Sequence, residues 1–209
     1  GVEVAGDVAF NLDFAVALNN PDSVVFKSSV DDIDLKVIKW GRANIDSLNY
    51  PFEYDAYDDT TIVRRFMVGP SNPNFVPLQQ IPYVVKTTVR NTEDPFFYKH
   101  NGFEEEAFKL SIVTNLKEKK FKRGASTISM QLVKNVFLNR KKTMNRKFEE
   151  ILLVWLMEAS GDVSKDRLLE IYLNVIEWGK NVYGIEEAAQ YYFHKKATEL
   201  GLGESLFLS

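Results

Sequence analysis

Val8, Phe10, Leu12, Phe14, Val16 and Leu18 alternate with small or polar residues near the start of the chain. Alternation sends every second side chain to the same face, which is the pattern of a strand with one buried side. Asn19-Asn20-Pro21-Asp22 then predicts a turn, since these residue types accept tight backbone geometry. Ile33, Leu35 and Val37 alternate again, and Thr60 to Val68 is a β-branched run. Residues 1–68 therefore predict a small, mostly antiparallel β module. Residues 69–75, built from Gly69-Pro70-Ser71-Asn72-Pro73-Asn74 and Phe75, predict a linker.

Beyond the linker the period becomes helical. Pro82 suits the first turn of a helix running to about Asn91. Ser126 predicts the N-cap of a helix to about Leu138, with Ile128, Leu132, Val136 and Phe137 at helical spacing. Phe148, Ile151, Leu152, Trp155 and Ala159 mark another amphipathic helix. Ser164 predicts the cap of the next, with Leu168, Ile171, Tyr172 and Val175 inward, and Glu186 to Phe193 predicts one more. The fold class is α+β: a small β module, then a mostly helical domain over residues 76–209.

Charge changes this picture locally. The chain carries a formal net charge of -3. Residues 1–76 are acidic, whereas residues 117–147 are strongly basic and hold a single acid, Glu118. A basic region in an acidic protein points to an anionic ligand or surface: nucleic acid, anionic lipid or pyrophosphate. Cysteine is absent, which excludes disulfides and thiolate metal sites. The apolar run from Ile151 to Met157 is far shorter than the roughly 20 residues that cross a bilayer. No signal peptide is visible. Any membrane anchor is expected outside this chain.

Candidate chemistry begins at Glu93-Asp94, an acidic pair at a predicted helix end followed by Phe96, Phe97 and Tyr98. Aromatic neighbours desolvate a carboxylate and suit it to proton transfer, although a solvated helix-terminal acid gives the same pattern. His100 is one of 2 histidines, with no spacing that suggests zinc. Gly124-Ala125-Ser126-Thr127 opens a helix with free backbone N–H groups, which serve either an anion or plain capping. Lys134 follows Gln131 by one turn, on roughly the same face. Lys142, Arg146 and Lys147 precede Glu150, and Arg146 and Glu150 stand one helical turn apart, as an ordinary exposed pair also does.

Taken in order, these segments resemble glycosyltransferase family 51, the peptidoglycan transglycosylase domain of penicillin-binding proteins and monofunctional transglycosylases. Glu93, Asp94, Phe97, His100 and Gly102 match its first motif. Gly124, Ser126, Thr127, Ile128 and Gln131 match the second, and Arg146, Lys147 and Glu150 the third. Lys165 through Tyr172-Leu173-Asn174 resembles the fourth, and Gly184-Ile185-Glu186-Glu187-Ala188-Ala189 with Tyr192-Phe193 the fifth. Ala125, Met130 and Lys142 depart from the family's usual Gly, Gln and Arg. The chain also stops soon after the fifth motif, where family members continue.

The resemblance implies a lysozyme-like fold and an inverting transfer that polymerises lipid II into β-1,4 glycan and releases undecaprenyl pyrophosphate. It implies Glu93 as the catalytic base and Glu150 as a second catalytic glutamate, which organises the donor site either by orienting the cations or by holding a metal. Asp94, Phe97, His100, Ser126, Thr127, Gln131, Lys134, Lys142, Arg146 and Lys147 would bind substrate. A divalent cation, magnesium or manganese, would suit the phosphates, although no sequence feature requires one. The implied partners are lipid II, the nascent glycan strand and the outer leaflet of the cytoplasmic membrane, so the implied location is the periplasmic face. Cell-wall synthesis proteins are a candidate partner for residues 1–68, and nucleic acid is not expected. Two other readings fit part of the pattern. One is a catalytically degenerate peptidoglycan-binding scaffold. The other is a lysozyme-like hydrolase using Glu93 and Glu150 as a carboxylate pair.

Overall fold

The computed structural model describes residues 3–17, 20–39, 43–58, 60–120, 124–138 and 144–209. It divides into two compact units, each drawn from two stretches of chain: Gly1–Ala43 with Phe103–Ser126, and Asn44–Gly102 with Thr127–Ser209. Small antiparallel strand pairs precede a mostly helical region, as the α+β pattern predicts.

The first unit is a long hairpin with one helix. Strand β1 (Glu3–Ala17) pairs antiparallel with β2 (Asn20–Lys39), with Glu3 opposite Lys39 and Ala17 opposite Asn20. Asn20, Pro21 and Asp22, predicted in a turn, already run in β2. A two-stranded sheet has only edges, so Pro21 deprives no central ladder of its donor. Helix α2 (Glu105–Glu118) packs on β2, and Phe108 stacks on Phe26 with ring centroids 5.3 Å apart. Helix α2 thus belongs to the hairpin's own unit.

The second unit takes in residues on both sides of residue 68. Strands β3 (Phe52–Asp58) and β4 (Thr61–Val68) form an antiparallel pair that belongs with the helices. Tyr54, Ala56 and Val68 are buried there, so separating the hairpin would expose core. Residues 69–75 lie within this unit. The chain leaving them is clamped to α5 (Lys165–Val175) by Asn174. Its Oδ1 accepts from Val76 N–H at 2.9 Å, and its Nδ2 donates to Val76 C=O at 2.9 Å.

Helix α5 is the centre of this unit. Leu168, Leu169, Ile171, Tyr172, Leu173, Asn174 and Val175 are all buried, the signature of a helix surrounded on every side. Ser164 caps it as predicted, accepting from Arg167 N–H at 3.2 Å. Helices α3 (Ile128–Phe137) and α6 (Ile185–Phe193) and strand β4 pack against it, and α1 (Tyr83–Glu93), α4 (Met144–Ser160) and α7 (Leu202–Leu208) complete the helical set. A short pair, β5 (Glu177–Gly179) and β6 (Val182–Tyr183), links α5 to α6. Arg64 on β4 reaches Glu187 on α6, with Nη1 2.7 Å from each carboxylate oxygen.

Two helix details differ from the pattern reading. Helix α3 starts at Ile128, and Thr127, not Ser126, is its cap. On α4 the buried residues include Glu150, Leu153, Val154, Leu156 and Met157, whereas Ile151 and Leu152 are exposed. The run from Ile151 to Met157 is apolar all round, so period alone cannot pick its inner side.

Candidate active site

Glu93 is the last residue of α1, and Asp94 is its C-cap. The C-terminal end of a helix carries partial negative charge and is an unfavourable place for carboxylates unless donors face them. Each acid has such donors.

Asp94 is buried, and its donors come from two directions. His100 Nε2 lies 2.9 Å from Oδ1 and 3.0 Å from Oδ2. The backbone N–H of Ile128, in the first turn of α3, donates to Oδ2 at 3.0 Å. Gly102 N–H donates to His100 Nδ1 at 3.0 Å. With Nδ1 accepting, the ring proton sits on Nε2 and points at Asp94.

Gly102 has φ +91, and a Cβ there would stand 2.5 Å from Val154 Cγ1. Its carbonyl accepts from Thr127 Oγ1 at 2.6 Å, and the same Thr127 oxygen accepts from Met130 N–H at 3.2 Å. The first motif is thereby locked onto the start of α3. Phe97 is fully buried, and Lys165 Nζ lies 4.5 Å from its ring centroid. Lys165 Nζ also lies 2.8 Å from Glu158 Oε1, which Ser129 Oγ bonds as well.

Glu93 itself is exposed, and Gln131 Nε2 donates to its Oε2 at 2.8 Å. The two residues line a cleft of about 310 Å³ with Val89, Asn135, Tyr172 and Trp178. Tyr172 donates to Gln131 Oε1 at 3.3 Å. Burial raises its phenol well above the ordinary tyrosine range, and the nearby charges of Glu93 and Asp94 add to the rise. It therefore stays a donor. The packing of α7 beside α1 brings Leu208 and Ser209 to the same cleft.

The predicted residues thus fall into separate groups. Glu93 and Gln131 meet at the cleft. Asp94, Phe97, His100 and Thr127 are largely buried behind Glu93 and are not among the cleft's lining residues, while Ser126 is exposed beside the start of α3. Lys134 is exposed and faces a small neighbouring hollow lined by Tyr54 and Tyr57, with Asn135 shared between the two. Glu150 is buried on the inner face of α4 and is not among the cleft's lining residues. Lys142 lies outside the described residues, and Arg146 and Lys147 are described by backbone alone. Among the described residues no group of His, Cys, Asp and Glu is arranged to hold a metal ion. The sequence marks Tyr172 as an inward helix position and as part of the fourth motif but gives it no role in the site, and it passes over Trp178 and Asn135. Nothing in their spacing marks them, because α5, the β5 strand and α3 meet only in the folded chain.

The family model for transglycosylases matches residues 59–209. A biosynthetic peptidoglycan transglycosylase of Nitrosomonas eutropha is 45% identical over 135 residues, which is 65% of this chain and 54% of that protein. A protein of the same description from Paraburkholderia xenovorans is 41% identical over 135 residues, 65% of this chain and 55% of its own length. One from Acinetobacter baumannii is 37% identical over 156 residues, 72% of this chain and 68% of its own. The chain spans about half the length of the first two of these relatives. The match begins inside the β3–β4 hairpin and runs through every element that builds the cleft, so the chain belongs to the transglycosylase family.

Proposed function

We propose that this protein is a peptidoglycan glycosyltransferase that polymerises lipid II into β-1,4 glycan. The observation that carries the reading is the placement of Glu93, an accessible carboxylate on a cleft, steadied by Gln131 and followed in the chain by the buried Asp94 that His100 holds. An acceptor hydroxyl is a poor nucleophile and needs a base within hydrogen-bond reach. Glu93 takes the proton of the acceptor's 4-hydroxyl as that oxygen bonds to the donor's anomeric carbon. The bond from that carbon to the pyrophosphate oxygen breaks, and its electron pair leaves with undecaprenyl pyrophosphate. Attack opposite the leaving group inverts the α-linked centre to β.

The departing pyrophosphate gains charge and needs fixed cations. Lys134, Lys142, Arg146 and Lys147 come from the basic stretch and supply them. Glu150, buried on the inner face of α4, orients those cations instead of taking a proton. Exposed Ser126 contacts the donor, whereas Asp94, Phe97, His100 and Thr127 hold the base in place. Lipid-linked substrates locate the reaction at the outer leaflet of the cytoplasmic membrane. Among the described residues no helix is long and apolar enough to cross it.

The test is polymerisation of labelled lipid II by the full-length protein and its Glu93→Gln variant. The variant is expected to lose about 10²–10⁴ in rate, the usual worth of a general base. Undiminished polymer would remove Glu93 as the base. Shortening of preformed glycan without new polymer would make the protein a hydrolase.

A further inference from the structure

We infer that Tyr172 is a positioning residue for Glu93, acting through the amide of Gln131. The inference rests on Glu93 being the base of the proposed transfer. The geometry is a chain of two hydrogen bonds: Tyr172 Oη to Gln131 Oε1 at 3.3 Å, then Gln131 Nε2 to Glu93 Oε2 at 2.8 Å.

The direction of the chain follows from what each group can do. An ionised carboxylate only accepts, so the amide atom facing Glu93 must be the NH₂. The amide oxygen then faces Tyr172, whose hydroxyl must donate. Tyr172 is 1% exposed and sits on the central helix, so its hydroxyl is fixed by packing. Gln131 projects from α3, whose Leu132 and Val133 are fully buried, so its backbone is fixed as well. Two rigid helices thus set the amide's rotation. That rotation aims one N–H at the carboxylate of a residue whose own helix has just ended.

The arrangement answers a need. Glu93 is exposed, and an exposed glutamate has several rotamers, of which one faces the cleft productively. The Gln131 donor selects a rotamer, and Tyr172 prevents the amide from flipping and presenting its oxygen to the carboxylate. Such a flip would replace a hydrogen bond with a repulsion. Gln131 therefore serves the base as well as any donor sugar. Tyr172 touches the chemistry only through it.

A double-mutant cycle in the full-length protein tests this, reading kcat and KM for lipid II polymerisation. Tyr172→Phe keeps the ring in the core and removes only the hydroxyl. It is expected to lower kcat about threefold to tenfold, the worth of one neutral hydrogen bond, with KM unchanged. Gln131→Met is expected to lower kcat about tenfold or more, since its bond is to a charge. In the Gln131→Met background, Tyr172→Phe should lower kcat no further. The inference is overturned if Tyr172→Phe costs the same factor in both backgrounds, or if it raises KM and spares kcat, because packing damage behaves in those ways. If the wild-type protein makes no polymer at all, the proposed function falls and takes the inference with it. Polymerisation with an additive cycle sinks the positioning role alone.

Discussion

His100 Nε2 reaches the Asp94 carboxylate at 2.9 Å, and both side chains are almost completely shielded from water. The pair closes a loop: Asp94 ends α1, His100 lies six residues on, and Gly102 N–H returns to His100 Nδ1. Ile128 N–H adds the start of α3 to the same carboxylate. A single buried acid thus fixes where α1 ends, where α3 begins and where its neighbour Glu93 emerges.

That convergence predicts a large structural cost for Asp94→Asn. An amide offers one oxygen where two donors now converge, and its NH₂ would face one of them. One donor is left unsatisfied in the interior. A loss of about 2–4 kcal/mol in unfolding free energy is expected, read by urea denaturation. A change below about 0.5 kcal/mol would mean that the carboxylate is not what joins the two helices.

Gly102 is required for two separable reasons. Its φ of +91 strains any residue with a Cβ, and that Cβ would fall 2.5 Å from Val154 Cγ1. Gly102→Ala is expected to cost about 2–3 kcal/mol. Adding Val154→Ala relieves the collision but not the backbone strain. The double variant should therefore be more stable than the sum of the single losses predicts, with a coupling of about 1 kcal/mol by denaturation. Simple additivity would show that the collision is absorbed elsewhere.

These cases show what the sequence makes legible. The strands, the helix over Lys165–Val175 and its Ser164 cap follow from period and capping chemistry. Glu93-Asp94 is also visible, because two acids at a helix end lack any local reason to be there. The division into units is not visible. Residues 69–75 have every residue type of a linker, yet the next residue is held by Asn174, 98 positions away. The inner face of α4 is hidden too, since an all-apolar run presents equal claims for each side. The cleft partners Tyr172 and Trp178 come from a core helix and a short strand, and only folding brings them beside Glu93.

Tyr98 gives an alkaline signature. Partial desolvation of its half-exposed ring first, and then its hydrogen bond to Asp166 at 2.8 Å, push its phenol from 10.0 up to about 12. The folded protein keeps the proton longer than the unfolded chain, so stability falls wherever the unfolded phenol alone is ionised. The contribution is complete below about pH 10 and is lost as pH rises toward about 12. Tyr98→Phe is expected to flatten the stability profile over that window, followed by denaturation midpoints at successive pH values. An unchanged slope would assign the alkaline loss to other groups.

The start of α3 offers the sharpest contrast, because two adjacent hydroxyls have the same chemistry and different positions. Ser126 is exposed, and the pattern of the chain makes it the natural cap. Thr127 is the cap in fact: its Oγ1 accepts from Met130 N–H at 3.2 Å and donates to Gly102 C=O at 2.6 Å. Thr127→Ala loses both bonds inside the protein and leaves a buried N–H and a buried C=O without partners. It is expected to cost about 2 kcal/mol, at the upper end of N-cap losses. Ser126→Ala removes a solvated hydroxyl and should stay within about 0.5 kcal/mol of the parent. Urea denaturation of the two variants side by side decides the matter. Equal losses would move the cap back to Ser126 and undo the tie between Gly102 and α3, on which the placement of Glu93 depends.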